Sequence, residues 1–158
     1  MARILLWGQS TLYYNIDQAV GRDAPNDRLD VLLVQFFLSV GTDPGSSWSR
    51  SLLPPTTRPA LLPQLKTTIA GRPIAPYYPG GSPITIDGVC GPQTIAFLEY
   101  FQQVRIDDHS TRALTKGQVW PGHTSQDSTL YYMNQMMGNS YLPGMTGFPK
   151  ELSPLFYI

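Results

Sequence analysis

Few side chains in the sequence could carry chemistry. The bases are His109 and His123, the one thiol is Cys90, and Glu99 and Glu151 are the only glutamates. Asp107, Asp108 and His109, together with His123, form the nearest thing to a metal-ligand set. No two of them have the i, i+4 spacing of helical ligands and there is no HExxH motif, so a solvated turn is expected and no metal is assigned. A Cys90–His pair is the remaining route to a nucleophile and base. Cys90 lies in the turn before a helix, where a small buried thiol packs as a hydrophobe. Asp27 and Asp30 fit helix capping better than paired acid–base work, and no phosphate loop or dinucleotide fingerprint occurs. The chain is therefore expected to be non-enzymatic, with no catalytic residues and no cofactor.

Recognition chemistry is better represented. Aromatic faces beside polar groups in a shallow groove stack on sugar rings. Trp48, Tyr77, Tyr78, Trp120 and Tyr132 are the ligand-binding candidates because they fall in loops or next to turns. The competing expectation is that Trp120 and Tyr132 pack the third helix while Tyr77 and Tyr78 hold a loop on the core. Met133, Met136 and Met137 read as a core stripe.

These residues need elements to position them. Ile4–Trp7 and Leu12–Ile16, joined through Gly8-Gln9-Ser10, predict a β-hairpin. Asn26 or Asp27 can cap a helix whose interior runs Leu29, Val31, Leu32, Val34, Phe36, Phe37 and Leu38; with Asp27 as the cap, Asp30 falls near its positive end, and Gly41 lies near its stop. That helix is apolar almost all round and should be central. Residues 42–83 hold nine of the fifteen prolines and predict a long, mostly irregular insertion, with a short strand within Leu65–Ile69. Pro92 opens a second helix, with Ile95, Leu98, Phe101 and Gln102 on one face and Phe97 and Tyr100 beside them. Thr124 is expected to cap a third helix carrying Leu130, Met133, Met136 and Met137 and ending at Gly138. Residues 139–158 predict an extended apolar tail lying on the chain's own domain or on a neighbour.

Ile86-Asp87-Gly88-Val89-Cys90-Gly91-Pro92-Gln93-Thr94, followed by Phe97, Phe101 and Gln102, resembles the signature of the peptidoglycan-binding-like domain family. Asp30-Val31-Leu32-Leu33-Val34-Gln35 is similar to the family's first helix. Lys116–Gly122, followed by Ser128-Thr129-Leu130, looks like a second copy of the turn in which Lys116 stands where aspartate is expected. The resemblance implies a mainly α protein with a three-helix core over residues 20–138. An N-terminal arm (1–19), the insertion (42–83) and the tail (139–158) complete the chain. Asp30, Gln35, Asp87, Gly88, Gly91, Pro92, Thr94, Phe101 and Gln102 are its fold motif. The implied role is anchoring or targeting to peptidoglycan or another envelope glycan.

Composition bounds the partners. Eleven basic residues balance eleven acidic ones and no basic run exists, so nucleic acid is not an expected partner. No apolar stretch approaches a membrane span and no Sec signal is read. Action at the envelope would then require lysis, a particle or specialised export. Only 14% of residues are charged. With the insertion and tail, this low charge supports an alternative role: an assembly component of an oligomeric, phage-like or secreted particle. Such a component would contact itself or other particle proteins through residues 42–83 and 141–158.

Overall fold

The computed structural model describes residues 3–7, 11–42, 68–69, 72–73, 78–109, 115–122, 128–138 and 140–156. Of these, 3–7, 11, 68–69, 72–73 and 104–109 are described as backbone only. Three α-helices dominate the described residues: α1 Arg28–Thr42, α2 Pro92–His109 and α3 Thr129–Met137. Short antiparallel strand pairs accompany them. β1 (Arg3–Trp7) pairs with β2 (Thr11–Asn15), β3 (Val20–Gly21) with β6 (Gln118–Val119), and β4 (Thr68–Ile69) with β5 (Arg72–Pro73). None of the helices is long and apolar enough, among the described residues, to cross a membrane.

The hydrophobic pattern of α1 explains its central position. Every residue from Asp30 to Leu38 is buried, with Val40 and Gly41, so solvent touches little more than its ends. Asp27 starts the helix, its Oδ1 accepting the Leu29 N–H at 3.1 Å. At the other end the Thr42 hydroxyl donates to the Leu38 carbonyl at 2.8 Å. Asp30 does more than complement the helix dipole. It is fully buried, and its two oxygens accept the N–H groups of Asp17 (3.3 Å) and Gln18 (2.9 Å), tying the chain between β2 and β3 to α1.

The inner face of α2 is Thr94, Phe97, Leu98, Phe101 and Gln102, all buried, which is the i, i+3, i+4, i+7, i+8 stripe of a core-facing helix. Ile95, expected on that face, is only half-buried, and Phe97 takes its place in the core. In α3, Leu130, Met133, Met136 and Met137 are buried as expected. The N-cap is Ser128 rather than Thr124, which with Asp127 lies outside the described residues. Gly138 ends α3 at φ 57°, its N–H bonding back to the Asn134 and Gln135 carbonyls.

The tail departs from the extended course expected of it. Its prolines forbid a long α-helix but suit tight turns, and it winds through 3-10 turns at Leu142–Gly144 and Ser153–Phe156. Leu142, Phe148, Leu152 and Phe156 enter the same core as the helices. Phe148 packs edge-on against Phe36, with centroids 5.1 Å apart, and Phe156 against Tyr14 at 5.5 Å. The hairpin is no detached arm either, because Tyr13 and Tyr14 of β2 lie in that core.

Candidate functional site

The motif residues are organised by side-chain amides. Gln35, on α1 and only 1% exposed, reaches across to the turn before α2. Its Oε1 accepts the N–H groups of Asp87 (3.0 Å) and Gly88 (2.8 Å). Its Nε2 lies 3.0 Å from the Asp87 carboxylate, 3.1 Å from the Val89 carbonyl and 3.0 Å from the Thr94 hydroxyl, all acceptors. Gly88 adopts φ 75°, which a side chain would strain. The Asp87 carboxylate also accepts the Val89 N–H at 2.9 Å. That backbone bond, followed by the Gln35 amide, holds the Asp87 carboxyl below its ordinary value.

Gln102, on α2, repeats the arrangement toward α3. Its Oε1 accepts the Gly117 N–H at 2.7 Å, and its Nε2 donates to the carbonyls of Thr115 (2.9 Å) and Gln118 (2.8 Å) and to the Thr129 hydroxyl (2.9 Å). Gly117 has φ 74°, matching Gly88, and Thr129 stands to Gln102 as Thr94 stands to Gln35. Lys116 occupies the place of Asp87 and supplies no acceptor. The backbone carbonyl of Thr115 takes that role, while the Gln118 carbonyl matches that of Val89. Asn134 on α3 closes a third contact of this kind: its Oδ1 accepts the Tyr14 N–H at 2.7 Å and its Nδ2 donates to the Tyr14 carbonyl at 2.9 Å. These amides satisfy buried backbone groups where a larger sheet would otherwise do so.

Gly21 and Gln118, paired across β3 and β6, link this scaffold to a surface groove. The groove has a volume of about 190 Å³ and is formed chiefly by Asp17, Gln18, Asp23, Pro25, Gln118 and Trp120. Trp120 is 55% exposed. Its indole N–H donates to the Gln118 Oε1 at 3.0 Å, so the ring's polar edge is satisfied and its face is what remains for a ligand. The Gly21–Ala24 turn, which brings Asp23 to the groove, is held by Asn26, whose Oδ1 accepts the Gly21 N–H (2.7 Å) and whose Nδ2 donates to the Gly21 (3.0 Å) and Ala24 (2.8 Å) carbonyls.

Of the aromatic candidates, the structure brings Trp120 to a concave surface. Tyr132 is 4% exposed within the core, edge-on to Tyr131. Tyr78 is half-buried against the core, and Trp48 and Tyr77 lie outside the described residues. Asp23 was missed by sequence reasoning. The available signal was its place beside Asn26 in a loop, since Asp and Asn are the side chains that tolerate the left-handed φ values of 54° and 56° found there.

Among the described residues, the chemically reactive side chains Cys90 and Glu99 each have a structural setting. Cys90 is half-buried and desolvation pushes its thiol upward, away from nucleophile behaviour. Glu99 pairs with Arg22 at 2.8 Å. No group of three or more potential metal ligands occurs among the described residues, which do not include His123 or the side chains of Asp107, Asp108 and His109. Comparison with family models, with curated proteins and with solved structures returns no match.

Proposed function

We propose that the chain is a non-enzymatic binding module for cell-wall glycan, acting at the envelope through the groove beside Trp120. The observation that carries this reading is an exposed indole face on a rigid, polar-edged concavity, which is the form of a sugar-stacking site. The twofold amide clamp supports it from a second direction. Gln35 with Asp87, Gly88 and Thr94, and Gln102 with Gly117 and Thr129, give the signature residues of the peptidoglycan-binding-like family a mutual role in joining three helices. A three-helix core of that family is therefore the fold proposed for residues 20–138. For the assembly alternative, the Phe148, Leu152 and Phe156 side chains of the tail face the chain's own core, while Tyr141 is exposed.

Sedimentation with purified cell-wall sacculi tests the reading. The protein is expected to pellet with them, and Trp120→Ala is expected to stay soluble with an unchanged circular dichroism spectrum. Failure of the wild-type protein to pellet at tens of micromolar would remove wall binding.

A further inference from the structure

We propose that the Trp120 groove prefers a sugar carrying a free amine, the de-N-acetylated form of an amino sugar, over its N-acetylated counterpart. This rests on the glycan reading above and names the substrate class of the same site. Both charged residues among the groove-lining side chains are carboxylates, Asp17 and Asp23. Arg22, adjacent to Asp23, is turned to Glu99, with 2.8 Å between Nη2 and Oε1, and is not part of the lining. A ligand entering the groove therefore meets the Asp23 carboxylate and an aromatic face, and both favour a cation. An ammonium group is attracted by the indole quadrupole and by a carboxylate, whereas an acetamide offers neither interaction a charge.

The position of Asp23 gives the preference a fixed geometry. Its backbone is left-handed at φ 54° within a turn closed by Ala24 N–H to Gly21 carbonyl at 3.4 Å and braced by the Asn26 amide. Trp120, which lines the same groove, lies one residue beyond β6, with its N–H tied to Gln118. Because β3 and β6 are paired through Gly21 and Gln118, the carboxylate and the indole belong to one braced unit. A sugar ring resting on Trp120 can thus direct an amine toward Asp23 without a rearrangement of the loop.

Calorimetric titration of the full chain with glucosamine hexamer and with N-acetylglucosamine hexamer at about pH 6, where a sugar amine is protonated, reads the preference directly. The glucosamine hexamer is expected to bind about fivefold more tightly, from one aromatic–cation contact and one exposed ion pair. Asp23→Asn keeps a residue suited to φ 54° and is expected to bring the two ligands to parity, as is added salt. Trp120→Ala is expected to weaken both. Equal or reversed preference in the wild-type protein, or an undiminished preference in Asp23→Asn, overturns the proposal while leaving glycan binding in place. Binding of neither hexamer, or binding of a lysine-containing peptide alone, overturns the glycan reading itself.

Discussion

The Gln35 carboxamide closes on the turn before α2 as the Gln102 carboxamide closes on the turn before α3. Each presents its oxygen to the N–H of a left-handed glycine, Gly88 at 2.8 Å and Gly117 at 2.7 Å, and its nitrogen to a threonine in the first turn of the next helix. The helices are joined less by contact between charged groups than by these neutral amides. That is how a chain with 14% charged residues satisfies the backbone of the turns before α2 and α3.

Gln35→Ala should therefore destabilise strongly. It removes the buried acceptor of the Asp87 and Gly88 N–H groups, and leaving such groups unmet costs about 1–3 kcal/mol each. Gln35→Glu should be worse than Gln35→Ala, because a carboxylate oxygen would then oppose the Asp87 carboxylate and the Val89 carbonyl. Urea unfolding midpoints check the order; a more stable Gln35→Glu would sink the argument.

The glycines should separate into distinct classes. A Cβ on Gly21 (φ 129°) would lie 2.0 Å from the Gly117 carbonyl oxygen, which is backbone and cannot move aside, so Gly21→Ala should cost about 3 kcal/mol or more. On Gly88 the Cβ meets the Arg28 Cγ and Nη1 at 2.8 Å, so Arg28 must change rotamer and release the Asp87 carbonyl, in addition to the left-handed penalty of about 1–2 kcal/mol. Gly91, although part of the sequence signature, has open space around it, and Gly91→Ala should fall within about 0.5 kcal/mol of wild type. Thermal unfolding of the three variants tests the ranking.

Asp87 and Asp30 should give stability opposite dependences on pH. The Asp87 carboxyl titrates below its ordinary 3.8 in the folded state, so its contribution is present above 3.8 and is lost as pH falls through the lowered value. Burial raises Asp30 above 3.8, opposed in part by the Gln18 and Asp17 N–H groups. The folded state then holds the Asp30 proton longer, and stability falls as pH rises from 3.8 through the raised value. Unfolding of wild type against Asp87→Asn should show a difference growing with pH in the acid range. Against Asp30→Asn the difference should shrink with pH. Parallel curves would contradict the assignment.

Phe156→Ala should cost about 3–5 kcal/mol, since the ring is 1% exposed and packs on Tyr14 and Phe148. Removal of residues 141–158 should leave a poorly folded chain with exposed apolar surface, visible as dye binding. A truncated protein as stable as the full chain would show that the tail is dispensable.

Local signals were the legible ones. The periodicity of Leu32, Phe36 and Phe37, the Asp27 cap, Pro92 at a first turn and Gly138 at a last turn all lie within a helix or next to it, and each reads correctly from its neighbours. The paired turns at Gly88 and Gly117 were legible as a pattern, but not the reach of Gln35 and Gln102 into them. The return of Phe148 and Phe156 to Tyr14 and Phe36 leaves no periodic trace, because contacts between distant segments are set by shape rather than spacing. For the same reason Trp120 could be named as a candidate, whereas its partnership with Asp23 depends on the pairing of Gly21 with Gln118.

The two amide clamps differ in how much chain they enclose. Gln35 meets Gly88 across 53 positions, Gln102 meets Gly117 across 15. The entropy of closing the longer loop exceeds that of the shorter by about 1 kcal/mol. The half built on α2 and α3 can therefore assemble early, and α1 must dock onto its turn after a wider search. Substitution at Gln102 should then slow refolding, and substitution at Gln35 should mainly speed unfolding. The proline-rich insertion thus sets the sequence of events by which the molecule reaches its shape.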